Sequence, residues 1–282
     1  MRLTVTGAQG QLGKDLQRAL SSHSLTLLDL PTFDLTRADC GEMIVAARPE
    51  VVVHAGAYTD VDGAERNPDL ALAINRDGTE RVARAAAQVG ARLIYISTDY
   101  VFDGSAQRPY AECDATNPIN MYGFSKREGE ERARSICPDG LVLRTAWLYG
   151  RHGKNFVKTI LQLSAERPVL RIVADQRGCP TLAEDLAAVL RELIQRRLCG
   201  TLHVTNAGSC TWHEFAAEIV SLSGRSVRVD PITTAEAGRA AKRPAYSVLA
   251  SDRLHQLGLS LPPWRDALKR FVQSDITTAA LS

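Results

Sequence analysis

Several features are missing from this 282-residue chain, and each absence narrows what it can be. No apolar run is long enough to cross a bilayer, so no membrane partner is expected. The six cysteines, Cys40, Cys113, Cys137, Cys179, Cys199 and Cys210, form no C-x-x-C pair, and no His/Cys cluster has zinc spacing. They read as reduced thiols, mostly packing groups. Neither sign of charge dominates. A net charge of +2 gives no reason to expect nucleic acid or an anionic membrane surface. There is no internal repeat and no low-complexity segment. The opening, Met1 to Gly7, reads as a strand entering a glycine turn rather than a signal peptide, so the expected location is the cytoplasm.

What is present is alternation of strand and helix. Residues 2–6 are a short β-branched strand. Gly7-Ala8-Gln9-Gly10-Gln11-Leu12-Gly13 follows, and then helical spacing of Leu12, Leu16 and Leu20. A glycine at the first position permits a tight turn. The second lets backbone approach a pyrophosphate, and the third lets helix and strand pack closely. The helix N-terminus then offers N–H groups to phosphates. This makes Gly7, Gln9, Gly10, Gln11, Leu12 and Gly13 candidate dinucleotide contacts.

Leu25–Leu28 reads as a second strand ending at Asp29. A carboxylate there suits a ribose diol and repels a 2′-phosphate, which leans toward NADH; the alternative is a solvated loop aspartate. Asp34 and Leu35 read as a loop beside the adenine, before a helix through Met43–Arg48. The apolar run Val51–His54 reads as a buried parallel strand. After it, Ala55, Gly56 and Ala57 are small enough for a cofactor to lie against them, and Tyr58 and Thr59 can line the cleft. His54 has no carboxylate neighbour and reads as packing. Pro68–Gln88 reads as one long helix or a pair, with Asn75 in its middle.

Arg92–Ser97 is a strand that delivers Thr98 to its carboxyl end. Residues 103–118 read as a mobile, substrate-contacting loop. Tyr122 and Lys126 lie one helical turn apart on one face of a helix expected over Tyr122–Arg134. Taken alone they are an ordinary amphipathic pair. Joined to Thr98 and the glycine turn, they read as a phenol, an ammonium and a hydroxyl gathered where an α/β sheet places its chemistry. The ammonium is expected to stabilise the phenolate and lower the phenol toward working pH.

The pattern implies an α/β fold: a doubly wound parallel (Rossmann) sheet over residues 1–150, with a smaller mixed α/β substrate-binding lobe over 151–182 and 206–282. Residues 183–205, a helix over Ala183–Gln195 and a strand over Leu202–Thr205, are expected to return to the main sheet. Thr211 and Glu214 read as a capping box. Trp147 reads either as a cover for a sugar ring or as a core aromatic.

These segments resemble the extended short-chain dehydrogenase/reductase family. The resemblance rests on the glycine turn, Ala57–Asp62, Ser97–Gly104 with its Ser-Thr-Asp-Tyr-Val-Phe string, Tyr122–Lys126, Arg144–Gly150, Asp175–Thr181 and Arg243-Pro244. It implies reduction of the 4-keto group of dTDP-4-dehydro-β-L-rhamnose (dTDP-4-dehydro-6-deoxy-L-mannose) by NADPH or NADH, the family using both. Thr98, Tyr122 and Lys126 would be catalytic, and Thr98, Asp99, Tyr100 and Trp147 would contact the sugar. Asn155, Arg177 and Arg243 would be candidates for the diphosphate. Some relatives form a magnesium-dependent dimer; Asp15 is one possible counterpart, but no metal is expected here. The chain is expected to be a monomer or a homodimer. Two alternatives stay open: reduction of another dTDP-4-keto-6-deoxysugar, and a catalytically silent binding subunit.

Overall fold

The computed structural model describes residues 1–279. Its centre is a six-stranded sheet in which every pairing is parallel. The spatial order is Gly200–His203, Leu141–Thr145, Arg92–Thr98, Val51–His54, Arg2–Thr6, Ser24–Leu28. The architecture is Rossmann-like and doubly wound. Strands buried on both faces need apolar residues throughout, and Val51–His54 and Leu141–Thr145 are buried at every position. The order reverses at Arg2–Thr6, which has the second strand on one side and the third on the other. Ligands of open α/β sheets enter at such a switch point, beyond the carboxyl ends of the strands.

The helix Gln11–Ala19 and the helix Ala183–Gln195 cover one face of the sheet, sharing a core that includes Leu3, Val5, Leu12, Leu16, Leu186 and Leu190. The other face is covered by Gly41–Ala47, Thr79–Gln88 and Met121–Ile136. The expected long helix over Pro68–Gln88 is three pieces: α-helix Pro68–Leu72, a π-helical turn Ala73–Gly78, and α-helix Thr79–Gln88. The final strand of the sheet starts two residues earlier than expected and ends at His203, because its register is set by Leu141–Arg144 opposite.

Residues 151–182 and 206–279 carry short paired strands, Val169–Val173 with Arg228–Ile232 and Arg177–Gly178 with Cys210–Thr211. They share a separate apolar cluster around Phe215, Ile160, Trp264 and Phe271. Of the expected 206–282 segment, residues 280–282 lie outside the described residues. Thr211 and Glu214 form the capping box. The 103–118 loop, expected to be mobile, is tied down. Tyr110 stacks on Phe102 with ring centroids 4.1 Å apart, its hydroxyl donates to Asp103 at 2.8 Å, and its N–H donates to the Val248 carbonyl at 2.8 Å.

No helix among the described residues is long and apolar enough to cross a membrane. A concavity of about 1200 Å³ opens at the amino ends of the strands between Arg2, Arg48, Arg92 and Arg197. It lies away from the switch point, so cavity size does not locate the chemistry here.

Candidate active site

The glycine turn is built by crowding. Gly7 has a φ of 69°, and a Cβ there would lie 2.6 Å from the Gly56 nitrogen. A Cβ on Gly13 would lie 2.1 Å from the Gly7 carbonyl oxygen. A Cβ on Gly10 would meet only that same oxygen, at 3.1 Å. Gly7 and Gly13 are thus demanded by packing, whereas a Cβ on Gly10 would crowd a single oxygen. No side chain caps the helix that begins at Gln11, so the N–H groups of its first turn are free to meet an anion. This turn and the Ala55-Gly56-Ala57 segment face each other across the switch point. Leu35 rests on Gly56 and Gly78. The cradle fits a dinucleotide pyrophosphate.

The Asp29 carboxylate accepts from the Gln9 N–H at 2.6 Å and from the Leu30 N–H at 2.8 Å, which binds it to the glycine turn. Asp34 is turned into its own loop, accepting from the Thr36 N–H at 2.9 Å, and these bonds lower its carboxyl. Thr59 is exposed at the cleft edge. Asn75, inside the π-helical turn, holds Tyr58 at both backbone groups, accepting from its N–H at 2.8 Å and donating to its carbonyl at 3.0 Å. It also donates to Ser125 at 2.9 Å, joining this loop to the Met121–Ile136 helix.

That helix starts where Asn120 accepts from the Gly123 N–H at 2.7 Å. The side-chain amide of Asn120 donates to the Lys242 carbonyl at 2.9 Å. The same cap thereby fixes both the helix and a late segment of chain. Asn is a favoured N-cap residue because its side-chain oxygen satisfies a first-turn N–H. Glu130 on this helix is fully buried and paired with Arg144 at 2.8 Å. Burial opposes its charge, but bonds from Arg144 and Ser97 win and hold the carboxyl low.

Thr98 and Tyr122 come together. The Thr98 hydroxyl accepts from the Tyr100 N–H at 3.2 Å, donates to Asp99 at 3.0 Å, and is near enough to the Tyr122 phenol to favour its charged form. The rings of Tyr100 and Tyr122 meet edge to face at 5.9 Å. Lys126 is 3% exposed; its Nζ donates to the Ile96 carbonyl at 2.8 Å and sits 4.2 Å from the centre of the Tyr95 ring. Burial lowers its ammonium to about 7.

One expectation is corrected here. The lysine was to acidify the phenol, but the dense surroundings of Tyr122 push it up to about 12, and the group that opposes this is Thr98. Tyr122 is partly buried, and desolvation of its hydroxyl outweighs any effect of the ammonium. As arranged here, Tyr122 is a proton-bearing phenol.

Other candidates are engaged elsewhere. Asn155 caps the helix Phe156–Glu166 and donates to Gln11 at 3.0 Å and to the Gly150 carbonyl at 2.8 Å, so its amide joins the two lobes instead of facing a diphosphate. Arg177 pairs with Glu214 at 3.0 Å. Arg243 pairs with Asp62 at 2.8 Å and also reaches Tyr100. Trp147 stacks flat on Trp212, ring centroids 3.5 Å apart, with Gly178 against its indole. Asp99 is not on the cleft surface but 2% exposed beneath it. His54 is buried between Thr6 and Thr79, and burial drops its imidazole to about 3, as suits a packing residue. Asp15 is buried, which raises its carboxyl, and no group of metal-ligating side chains occurs among the described residues. Asp62 lies in one of the resembling segments, but its partner Arg243 is 181 residues away and sequence spacing could not pair them.

Comparison with known proteins agrees with this geometry. The family described as "RmlD substrate binding domain" matches residues 1–276. The chain belongs to this family. A dTDP-4-dehydrorhamnose reductase from Sinorhizobium fredii is 41% identical over 286 residues, covering 96% of this chain and 97% of that protein. A probable dTDP-4,6-dihydroxy-2-methyloxan-3-one 4-ketoreductase from Streptomyces antibioticus is 42% identical, covering 95% and 94%. Among solved structures, a Bacillus anthracis dTDP-4-dehydrorhamnose reductase in complex with NADP superposes with a TM-score of 0.94 at 43% identity, covering 97% of this chain and 99% of that one. In this member of the RmlD family, the glycine turn and Thr98 follow the carboxyl ends of two strands of one parallel sheet, with Val51–His54 between them.

Proposed function

We propose that this chain reduces the 4-keto group of dTDP-4-dehydro-β-L-rhamnose to give dTDP-L-rhamnose, using NADPH or NADH. The observation that carries this reading is the meeting of Thr98 and Tyr122 at the carboxyl end of the central strand, beside a glycine turn fit for a dinucleotide. It is joined by full-length similarity to reductases with this activity.

A bound reduced nicotinamide supplies the hydride. Tyr122 donates its proton to the ketone oxygen as negative charge develops there. Thr98 holds that oxygen in line, and Lys126, fixed by the Ile96 carbonyl, offers its remaining N–H groups to the ribose. The glycine turn and the uncapped helix start hold the pyrophosphate, with Asp29 at the adenosine ribose. Arg243 and Arg177 lie on the side of the second lobe, where the dTDP diphosphate would bind. The protein works in the cytoplasm as a monomer or homodimer.

The test follows cofactor oxidation with dTDP-4-dehydrorhamnose and identifies the product sugar. Tyr122→Phe is expected to lower turnover by at least about a hundredfold while the cofactor still binds. Near-normal turnover in that variant removes Tyr122 from its role. A second reading, reduction of a related dTDP-4-keto-6-deoxysugar, is favoured by the similarity to the Streptomyces antibioticus protein. Product stereochemistry separates the two. The intact Thr98, Tyr122 and Lys126 argue against a silent binding subunit.

A further inference from the structure

The helix that carries Tyr122 and Lys126 is pressed close to the strand that carries Thr98. The Tyr95 ring lies under the Lys126 ammonium, and a Cβ on Gly129 would lie 2.4 Å from the Tyr95 hydroxyl. One turn beyond Lys126, on the same inward face, stands the fully buried Glu130. Its carboxylate accepts four bonds. Ser97 Oγ at 2.6 Å and Arg144 Nε at 2.9 Å donate to Oε1. Arg144 Nη2 at 2.8 Å and Arg134 Nη2 at 2.6 Å donate to Oε2. Ser97 and Arg144 are register partners on neighbouring strands. A single side chain thus ties the helix to two strands of the sheet.

Such an arrangement is a poor way to gain stability. Taking a carboxylate and a guanidinium out of water costs about as much as their attraction returns, and well-packed apolar side chains often hold a core as firmly. What the carboxylate adds is direction, because a bond to Oε1 holds Ser97 at one distance and one rotamer. Ser97 stands between two groups on which the site depends. The peptide before it carries the Ile96 carbonyl, which holds Lys126 Nζ at 2.8 Å, and the peptide after it leads to Thr98.

We propose that Glu130 is a positioning residue for the reduction, acting through Ser97 to set the spacing between Lys126 on the helix and Thr98 on the strand. The proposal rests on the reading of Thr98, Tyr122 and Lys126 as the catalytic groups. Glu130 itself touches neither substrate nor cofactor. Arg144 grips both of its oxygens and keeps the carboxylate ionised and aimed. Arg134 comes from the side away from the site, and its other bonds run to Glu131 and to Thr201 on the edge strand.

The test uses the full chain with NADPH and dTDP-4-dehydrorhamnose in single-turnover experiments, where cofactor oxidation reports the chemical step. Ser97→Ala removes one bond to Glu130 and leaves both arginines in place. Its rate at saturating substrate is expected to fall about tenfold, while the substrate concentration giving half that rate stays within about twofold. Arg134→Met is the comparison. It removes a bond to the same carboxylate and is expected to lower the melting temperature at least as much as Ser97→Ala, with a rate within about twofold of the unaltered protein. An unchanged rate in Ser97→Ala overturns the proposal. So does a loss in Arg134→Met equal to that in Ser97→Ala, which would make the cluster a matter of stability alone. Tyr122→Phe, measured alongside, separates the two layers. If that variant keeps its rate, the proton-donor reading fails and the positioning role falls with it; if it loses its rate while Ser97→Ala does not, the positioning role alone is overturned.

Discussion

Asp62 holds Arg243 across 181 residues of sequence, accepting from its two terminal nitrogens at 3.1 and 2.8 Å and from the Ala241 N–H at 3.0 Å. The carboxylate belongs to the helix Val61–Arg66 beside the cofactor side of the cleft, and the guanidinium belongs to the second lobe. Because Arg243 also reaches Tyr100, this pair connects the late segment to the neighbourhood of Thr98. Bonds from Arg243, assisted by the Ala241 N–H, pull the Asp62 carboxyl down to about 2. A lowered carboxyl contributes stability that is present above its unfolded value of about 4 and is lost as pH falls toward the folded one. Asp62→Asn should therefore cost about 1–3 kcal/mol at neutral pH, with the difference shrinking between pH of about 4 and about 2. Urea unfolding of both proteins across that range measures it, and a pH-independent difference would contradict the pairing.

The three glycines of the turn should not respond alike. Gly13→Ala forces a methyl onto backbone at 2.1 Å, where nothing flexible can yield. It should destabilise the fold by about 1–3 kcal/mol or more and abolish cofactor binding. Gly10→Ala meets only one oxygen at 3.1 Å and should fold normally, yet bind cofactor more weakly because its methyl points to where the pyrophosphate lies. Thermal melting with and without NADPH distinguishes them. Equal melting temperatures for the two apo variants would refute the packing argument.

Cofactor preference should turn on Asp29. Its carboxylate is locked to the glycine turn through the Gln9 N–H, so it cannot swing away from a 2′-phosphate. NADH should serve at least comparably to NADPH. Asp29→Ala should raise the NADPH-to-NADH ratio of kcat/KM by roughly tenfold, corresponding to about 1.4 kcal/mol of relieved repulsion. An unaltered ratio would place Asp29 away from the ribose. The Bacillus anthracis relative was solved in complex with NADP, which makes this measurement informative.

What could be read from the sequence was local. The glycine spacing, the apolar run Val51–His54 and the delivery of Thr98 by a strand are governed by neighbours a few residues apart, and the structure has them in place. The break of Pro68–Gln88 at the π-helical turn was not legible, because it answers to Tyr58 and Ser125 far away in sequence. The same holds for Arg243, whose guanidinium suits phosphate by shape but meets a carboxylate that only folding supplies. The direction of the Tyr122 shift was misjudged for a related reason. Sequence spacing reveals a nearby lysine but not the desolvation that outweighs it.

The place of Gly200–His203 at the sheet edge has a consequence for how the protein is made. The helix Ala183–Gln195 lies over Leu3, Leu12 and Leu16, and Leu202 closes the same cluster. As the chain leaves the ribosome, the first half arrives with that apolar face bare, and it stays bare until some fifty further residues have been synthesised. A gene fragment ending near Gly150 would leave this apolar surface uncovered and is expected to yield insoluble product.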